Sequence, residues 1–269
     1  MRKSIFDIET RIDVDYEFEK LKEVLGENNT LYYNGESYSL YKYLNDEILP
    51  IWEYKGIFID FDDFSSRLEI DFRAHSCSKE KFLYILELLV NLWPIAEDML
   101  DFDYKQCFSK KVIGYMQMNL PLIIERMNYQ IKKESGKYRL IKRDSDVDSV
   151  LDILSKDKAK LLLDYNDIRN NTLESKRSIL KNIDLYIEKN KNIYQKVDND
   201  TYNTIQVIVN NMGINHPIKK EPYISIQTDQ LIKYYDQCFK LMIHLIREKE
   251  VNDINKKRKE FENKGAVVC

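Results

Sequence analysis

Between Asp144 and Ile246 the chain repeats apolar residues every three or four positions in four successive stretches, and no other feature constrains its fold as tightly. The first carries Val147, Val150, Leu151, Leu154, Leu161, Leu162 and Tyr165, with Asp144 or Ser145 placed to cap it, and ends near Arg169–Thr172. The second carries Ile179, Leu180, Ile183, Tyr186 and Ile187, and the third Tyr202, Ile205, Ile208, Val209 and Met212. The fourth starts near Gln227 to Asp229 and continues through Leu231, Ile232, Tyr235, Cys238, Phe239, Met242, Leu245 and Ile246. Four amphipathic helices joined by short connections bury their stripes most simply as an up-down four-helix bundle.

The first half is more mixed. Val14, Phe18, Leu21 and Leu25 have helical spacing, and Gly26 follows as a stop. Asn34-Gly35, set between alternating Tyr and Leu residues, predicts a hairpin with a type I′ turn. A helix is expected from Leu40 to Pro50. Ile57, Ile59 and Phe61 alternate as a strand would, although DDFSSRL could equally open a short helix. Ser78 can cap a long helix through Phe82, Ile85, Leu86, Leu89, Val90 and Trp93, with Pro94 as a candidate kink. Another helix is read over 108 to 127, and a second hairpin turning at Ser135-Gly136. The charged run at 143 to 146 closes this half. The expected organisation is thus a mainly α chain, with an α+β region over 1–143 that contains short hairpins and a helical bundle over 144–269.

Composition narrows the function classes. The 42 basic and 45 acidic residues leave a net charge of -3, so any nucleic-acid surface must be local rather than a global basic field. No stretch approaches the roughly 18 apolar residues of a membrane span, and the N-terminus lacks an apolar run of signal-peptide length. A cytoplasmic protein is expected. Cys77, Cys107, Cys238 and Cys269 are too scattered for a zinc knuckle, and the first three are read as packing residues. There is no glycine-rich phosphate loop, and no metal or cofactor is expected.

Candidate chemistry is sparse. Of three histidines, His75 lies in a loop near Cys77, and His244 falls within the fourth helix between Ile243 and Leu245, where a bundle-edge or hydrogen-bonded core role is expected. Asp60, Asp62, Asp63, Glu69, Asp71 and Arg73 have the residue types of a metal-dependent nuclease, but in a chain with 32% charged residues a solvated edge is the expected reading. Glu97, Asp98, Asp101 and Asp103 read as an exposed helix end. His216 stands in NNMGINHP after the third bundle helix, where Gly213 can take the left-handed conformation that ends a helix and Pro217 prevents its resumption. Lys256, Lys257, Arg258 and Lys259 extend the last helix as a basic tail that is able to meet a phosphate backbone, although nearby acidic residues dilute it.

The stretch from about 145 to 250, especially DYNDIRNNTLESKRSIL, VIVNNMGINHP and LIKYYDQCFKLMIHLI, resembles the HEPN-like helical domains of bacterial abortive-infection and toxin proteins. The resemblance implies a bundle bearing an arginine and, a few residues on, a histidine. It further implies that two protomers pair to form a metal-independent RNA-cleaving site. His216 matches the family histidine, and Asn211 stands where the arginine is expected. Asn can bond a phosphate oxygen but brings no charge to a pentacovalent phosphate. Arg169-Asn170 resembles the other half of the motif and could approach His216 only through folding.

Two functions follow as expectations. One is a defence or toxin-type protein whose bundle binds or cleaves RNA as a homodimer, with His216, Arg169 and Asn211 in the site and Lys256–Lys259 on RNA. The other is a non-enzymatic dimerisation or partner-binding protein with a degenerate bundle.

Overall fold

The computed structural model describes residues 12–26, 31–33, 36–53, 58–99, 108–218 and 223–265. The chain is mainly helical, and Met1–Lys142 and Arg143–Cys269 form two compact units.

In the first unit, α1 (Val14–Leu25) opens where Asp13 accepts from the Tyr16 amide, and it buries Phe18, Leu21, Val24 and Leu25. Strands β1 (Leu31–Tyr33) and β2 (Glu36–Tyr38) pair antiparallel; their Asn34-Gly35 turn lies outside the described residues. Ser39 caps α2 (Leu40–Tyr43), which runs on as a π turn to Ile48 and a 3-10 turn at Leu49–Ile51. Where the sequence allows either a strand or a short helix, a helix forms over part of the segment: Asp60 caps α3 (Phe61–Arg67), and Phe61 and Phe64 enter the core while Ile59 stays exposed. Ile57 lies outside the described residues.

Helix α4 (Lys79–Met99) runs through Pro94 as one continuous element. Helices α5 (Lys110–Gly114) and α6 (Leu120–Arg126) flank a π turn and lead into β3 (Tyr129–Glu134) and β4 (Lys137–Lys142). Their turn has φ 51° at Ser135 and 83° at Gly136, the paired positive values of a type I′ hairpin. Buried Asn91 pins this hairpin to α4, donating to the Tyr138 carbonyl and accepting from the Tyr138 amide at 2.8 and 2.9 Å.

The second unit is the bundle. Its first helix is broken into α7 (Ser145–Leu151) and α8 (Lys156–Tyr165), because Ser155 takes an extended conformation and Lys156-Asp157 restart the helix behind it. A 3-10 turn (Ile168–Asn170) leads to α9 (Leu173–Lys189), capped by Thr172. A short α10 (Lys191–Val197) precedes α11 (Asn199–Asn211), which Asp198 caps. The last helix, α12 (Thr228–Gly265), has 38 residues and is about 57 Å long. It packs against α7, α9, α10 and α11. Its core stripe, from Leu231 to Ile246, meets Leu180, Ile183, Ile187, Tyr194, Ile205 and Val209, while Tyr165 and Phe239 stack with ring centroids 3.9 Å apart. Cys238 is fully buried there and its thiol is pushed up to about 12. Cys77 is half-buried, and Cys107 and Cys269 lie outside the described residues. Among the described residues no helix is long and apolar enough to cross a membrane.

Candidate functional site

The end of α11 is built to present one loop. Met212 continues the helix by donating its amide to the Ile208 carbonyl, and Gly213 then reverses the chain at φ +83°. A Cβ at this glycine would stand 3.2 Å from Cγ1 of Ile218 and 3.6 Å from the Tyr235 hydroxyl, so close packing and left-handed backbone both select Gly. Ile214 then drops into the core, fully buried.

Four hydrogen bonds fasten the loop. The Tyr235 hydroxyl donates to the Met212 carbonyl at 2.9 Å, and the Asn215 amide donates to the Val209 carbonyl at 3.1 Å. Nε of Arg177 donates to the Ile214 carbonyl at 3.2 Å, and Nδ2 of Asn215 donates to Oδ2 of Asp184 at 2.9 Å. The last two anchors come from α9. His216 follows at once, with its imidazole exposed, and among the described residues no side chain or backbone group hydrogen-bonds to it.

Arg177 supplies the charge of this face. Only its Nε is engaged among the described residues, so both terminal amino groups retain their donors. From the Ile214 carbonyl to the backbone of His216 the chain can span at most about 7 Å. The same positive charge works against the burial that raises Tyr235 above the usual phenol range. Asp184, just 1% exposed, accepts from Asn215 and from Nε2 of Gln206. Burial raises its carboxyl above the usual range against the pull of those two amides.

The residues expected from the sequence are distributed differently. Asn211 precedes His216 by five positions, but its amide turns back on its own helix and donates to the Val207 carbonyl at 2.8 Å. Arg169 sits on the 3-10 turn before α9, where buried Asp167 accepts from its Nε and terminal nitrogen at 3.1 and 2.9 Å. Lys256, Lys257, Arg258 and Lys259 are exposed on α12 ten or more positions past Ile246, the last core residue, and Arg258 lies 3.5 Å from Glu262. His244 is on the bundle edge, 4.0 Å from Asp198, and His75 is exposed beside Glu19.

The acidic cluster of the first unit has local employment. Asp60 caps α3, Asp62 accepts from the Tyr41 hydroxyl, Asp63 holds Arg67, and Asp71 accepts from the Arg73 amide. Among the described residues no group of three or more such side chains is placed to hold a metal ion. Of the acidic helix end, Asp101 and Asp103 lie outside the described residues.

Comparison with protein-family models, curated proteins and solved structures finds no match. Sequence pattern alone does not single out Arg177 as a residue of this face, and it marks Asp184 only indirectly. The signal for Asp184 was present: together with Lys176 it falls on the stripe of Leu180, Ile183 and Ile187, and a charge inside an apolar stripe calls for a partner. Lys176 finds Asp236 at 2.7 Å, and Tyr165 donates to the same carboxylate oxygen at 2.8 Å.

Proposed function

We propose that the bundle is an RNA-binding module that cleaves its substrate without a metal, through His216 and Arg177. Support comes from one observation above the rest: a partly buried guanidinium, with its terminal donors available, is fixed by Nε to the carbonyl of Ile214, which precedes exposed His216 by two positions. The sequence resemblance to HEPN-like domains points the same way and adds the wider setting, a cytoplasmic defence or toxin-type protein working as a homodimer.

In this reading Arg177 binds the non-bridging oxygens of one phosphate. His216 takes the proton of the neighbouring 2′-hydroxyl, the 2′-oxygen attacks phosphorus, and the bond to the 5′-oxygen breaks. The leaving oxygen takes a proton from water or from the imidazolium of a second copy. The products are a 2′,3′-cyclic phosphate and a 5′-hydroxyl. Exposed Lys256, Lys257, Arg258 and Lys259, about 30 Å further along α12 than Tyr235, meet phosphates several nucleotides away on a longer RNA.

A second reading is favoured by Asn211, whose amide is engaged within α11 and which carries no charge: a bundle that binds a partner, or another copy of itself, without chemistry. Binding of a fluorescent single-stranded RNA separates the two. Arg177→Ala should weaken binding about tenfold at fixed salt, while an RNA affinity that is absent in the wild type or indifferent to this change leaves the partner-binding reading.

A further inference from the structure

We propose that Asp184 is the positioning residue for His216, holding the loop that carries the imidazole against α9 through Asn215. This inference rests on the RNA-cleaving reading of the same face.

Asp184 lies on the inward stripe of α9 among Leu180, Ile183 and Ile187, where an aliphatic side chain would complete the core at lower cost than a desolvated carboxylate. Its two oxygens are divided between two elements. Oδ1 accepts from Gln206 on α11 at 2.9 Å, and Oδ2 accepts from Asn215 on the loop at 2.9 Å. A buried carboxylate that accepts at both oxygens defines two directions at once, so it fixes Asn215 relative to both helices. Arg177, seven residues earlier and two turns away on α9, holds the neighbouring Ile214. Two consecutive loop residues are thus tied to one rigid helix, and His216 is the next residue along. Burial raises the Asp184 carboxyl, and the Glu188 charge adds to the effect, whereas the two amides favour the ionised form that accepts from both. The fold therefore tolerates a cost at this position in return for a fixed loop.

The two halves of the arrangement can be separated. Asn215→Ala removes the loop-side bond, Gln206→Ala removes the helix-side bond together with the 3.5 Å bond that Gln206 accepts from Asn210 within α11, and Asp184→Asn changes both bonds to the carboxylate. Amide hydrogen exchange at Met212 to His216 should quicken about tenfold or more in Asn215→Ala and Asp184→Asn, and change less than about threefold in Gln206→Ala. RNA turnover in EDTA should show kcat reduced about tenfold in the first two, with KM within about twofold because Arg177 still meets the phosphate. Unchanged exchange in Asn215→Ala, or quickened exchange with unchanged kcat, would overturn the role of Asp184 while leaving the RNA reading intact. Quickened exchange in a chain whose wild type never cleaves RNA would overturn the RNA reading, and the positioning role with it.

Discussion

Nε of Arg177 donates to the carbonyl oxygen of Ile214 across 3.2 Å, tying the N-terminal third of α9 to the loop that follows α11. The bond places a guanidinium beside the segment that carries His216, and it makes Arg177 both an anchor and a charge.

These two roles separate in substitutions. Arg177→Ala should cost about 1 kcal/mol of stability through the lost hydrogen bond, as well as weakening RNA binding. Arg177→Lys keeps the charge but lacks the planar fork that can hold a carbonyl and a phosphate together, so it should recover only part of each effect. Urea unfolding and fluorescence anisotropy on the same three proteins check this.

Gly213 is predicted to be intolerant. Gly213→Ala places a Cβ at φ +83° and 3.2 Å from Ile218, and should destabilise the second unit by about 1–3 kcal/mol. Thermal unfolding measures it, and a variant as stable as the wild type would contradict the loop geometry.

Asp184 gives a pH prediction. Its folded value is raised, first by burial and then by Glu188; Tyr202, which bonds to Glu188, and the Cys238 thiol also face it and are themselves raised, so they stay neutral at ordinary pH. A raised carboxylate contributes stability that is fully present below its unfolded value, near 3.8, and lost as pH rises through the folded value. Asp184→Asn removes that loss. Relative to the wild type, the variant should therefore gain stability between about pH 4 and pH 7, whatever the offset from its altered hydrogen bonds. Urea unfolding at the two pH values reads the difference, and a constant or falling one contradicts the buried charge.

The basic end of α12 should matter to RNA and little to folding. Lys256, Lys257, Arg258 and Lys259 are all exposed, so replacing the four with Ala should move stability by no more than about 0.5 kcal/mol per residue. Each one that meets a phosphate should reduce the dependence of log K on log salt by about 0.7. A salt titration of RNA binding checks this, and an unchanged slope would remove the tail from the interface.

The bundle was legible because Leu231 to Ile246 keep one helical period without a break, and the second hairpin because Ser135-Gly136 demands positive φ. The interruption at Asp152–Ser155 was not, since the apolar positions on either side continue one stripe and only the extended backbone at Ser155 separates them. In the candidate site, Gly213 and the exposed His216 could be read locally. Arg177 could not, because its partner is a backbone carbonyl 37 positions away, and a carbonyl leaves no mark in a sequence. The lone charge of Asp184 within an apolar stripe marked the position but not the partners, Gln206 and Asn215, which only folding brings to it.

The most direct measurement is RNA cleavage by the purified full chain in EDTA, comparing wild type with His216→Ala and identifying the new ends. The account predicts cleavage by the wild type that leaves 2′,3′-cyclic phosphate and 5′-hydroxyl ends, reduced at least a hundredfold in the variant, on the scale of a lost general base. Equal cleavage by both proteins, or none by the wild type, would contradict it.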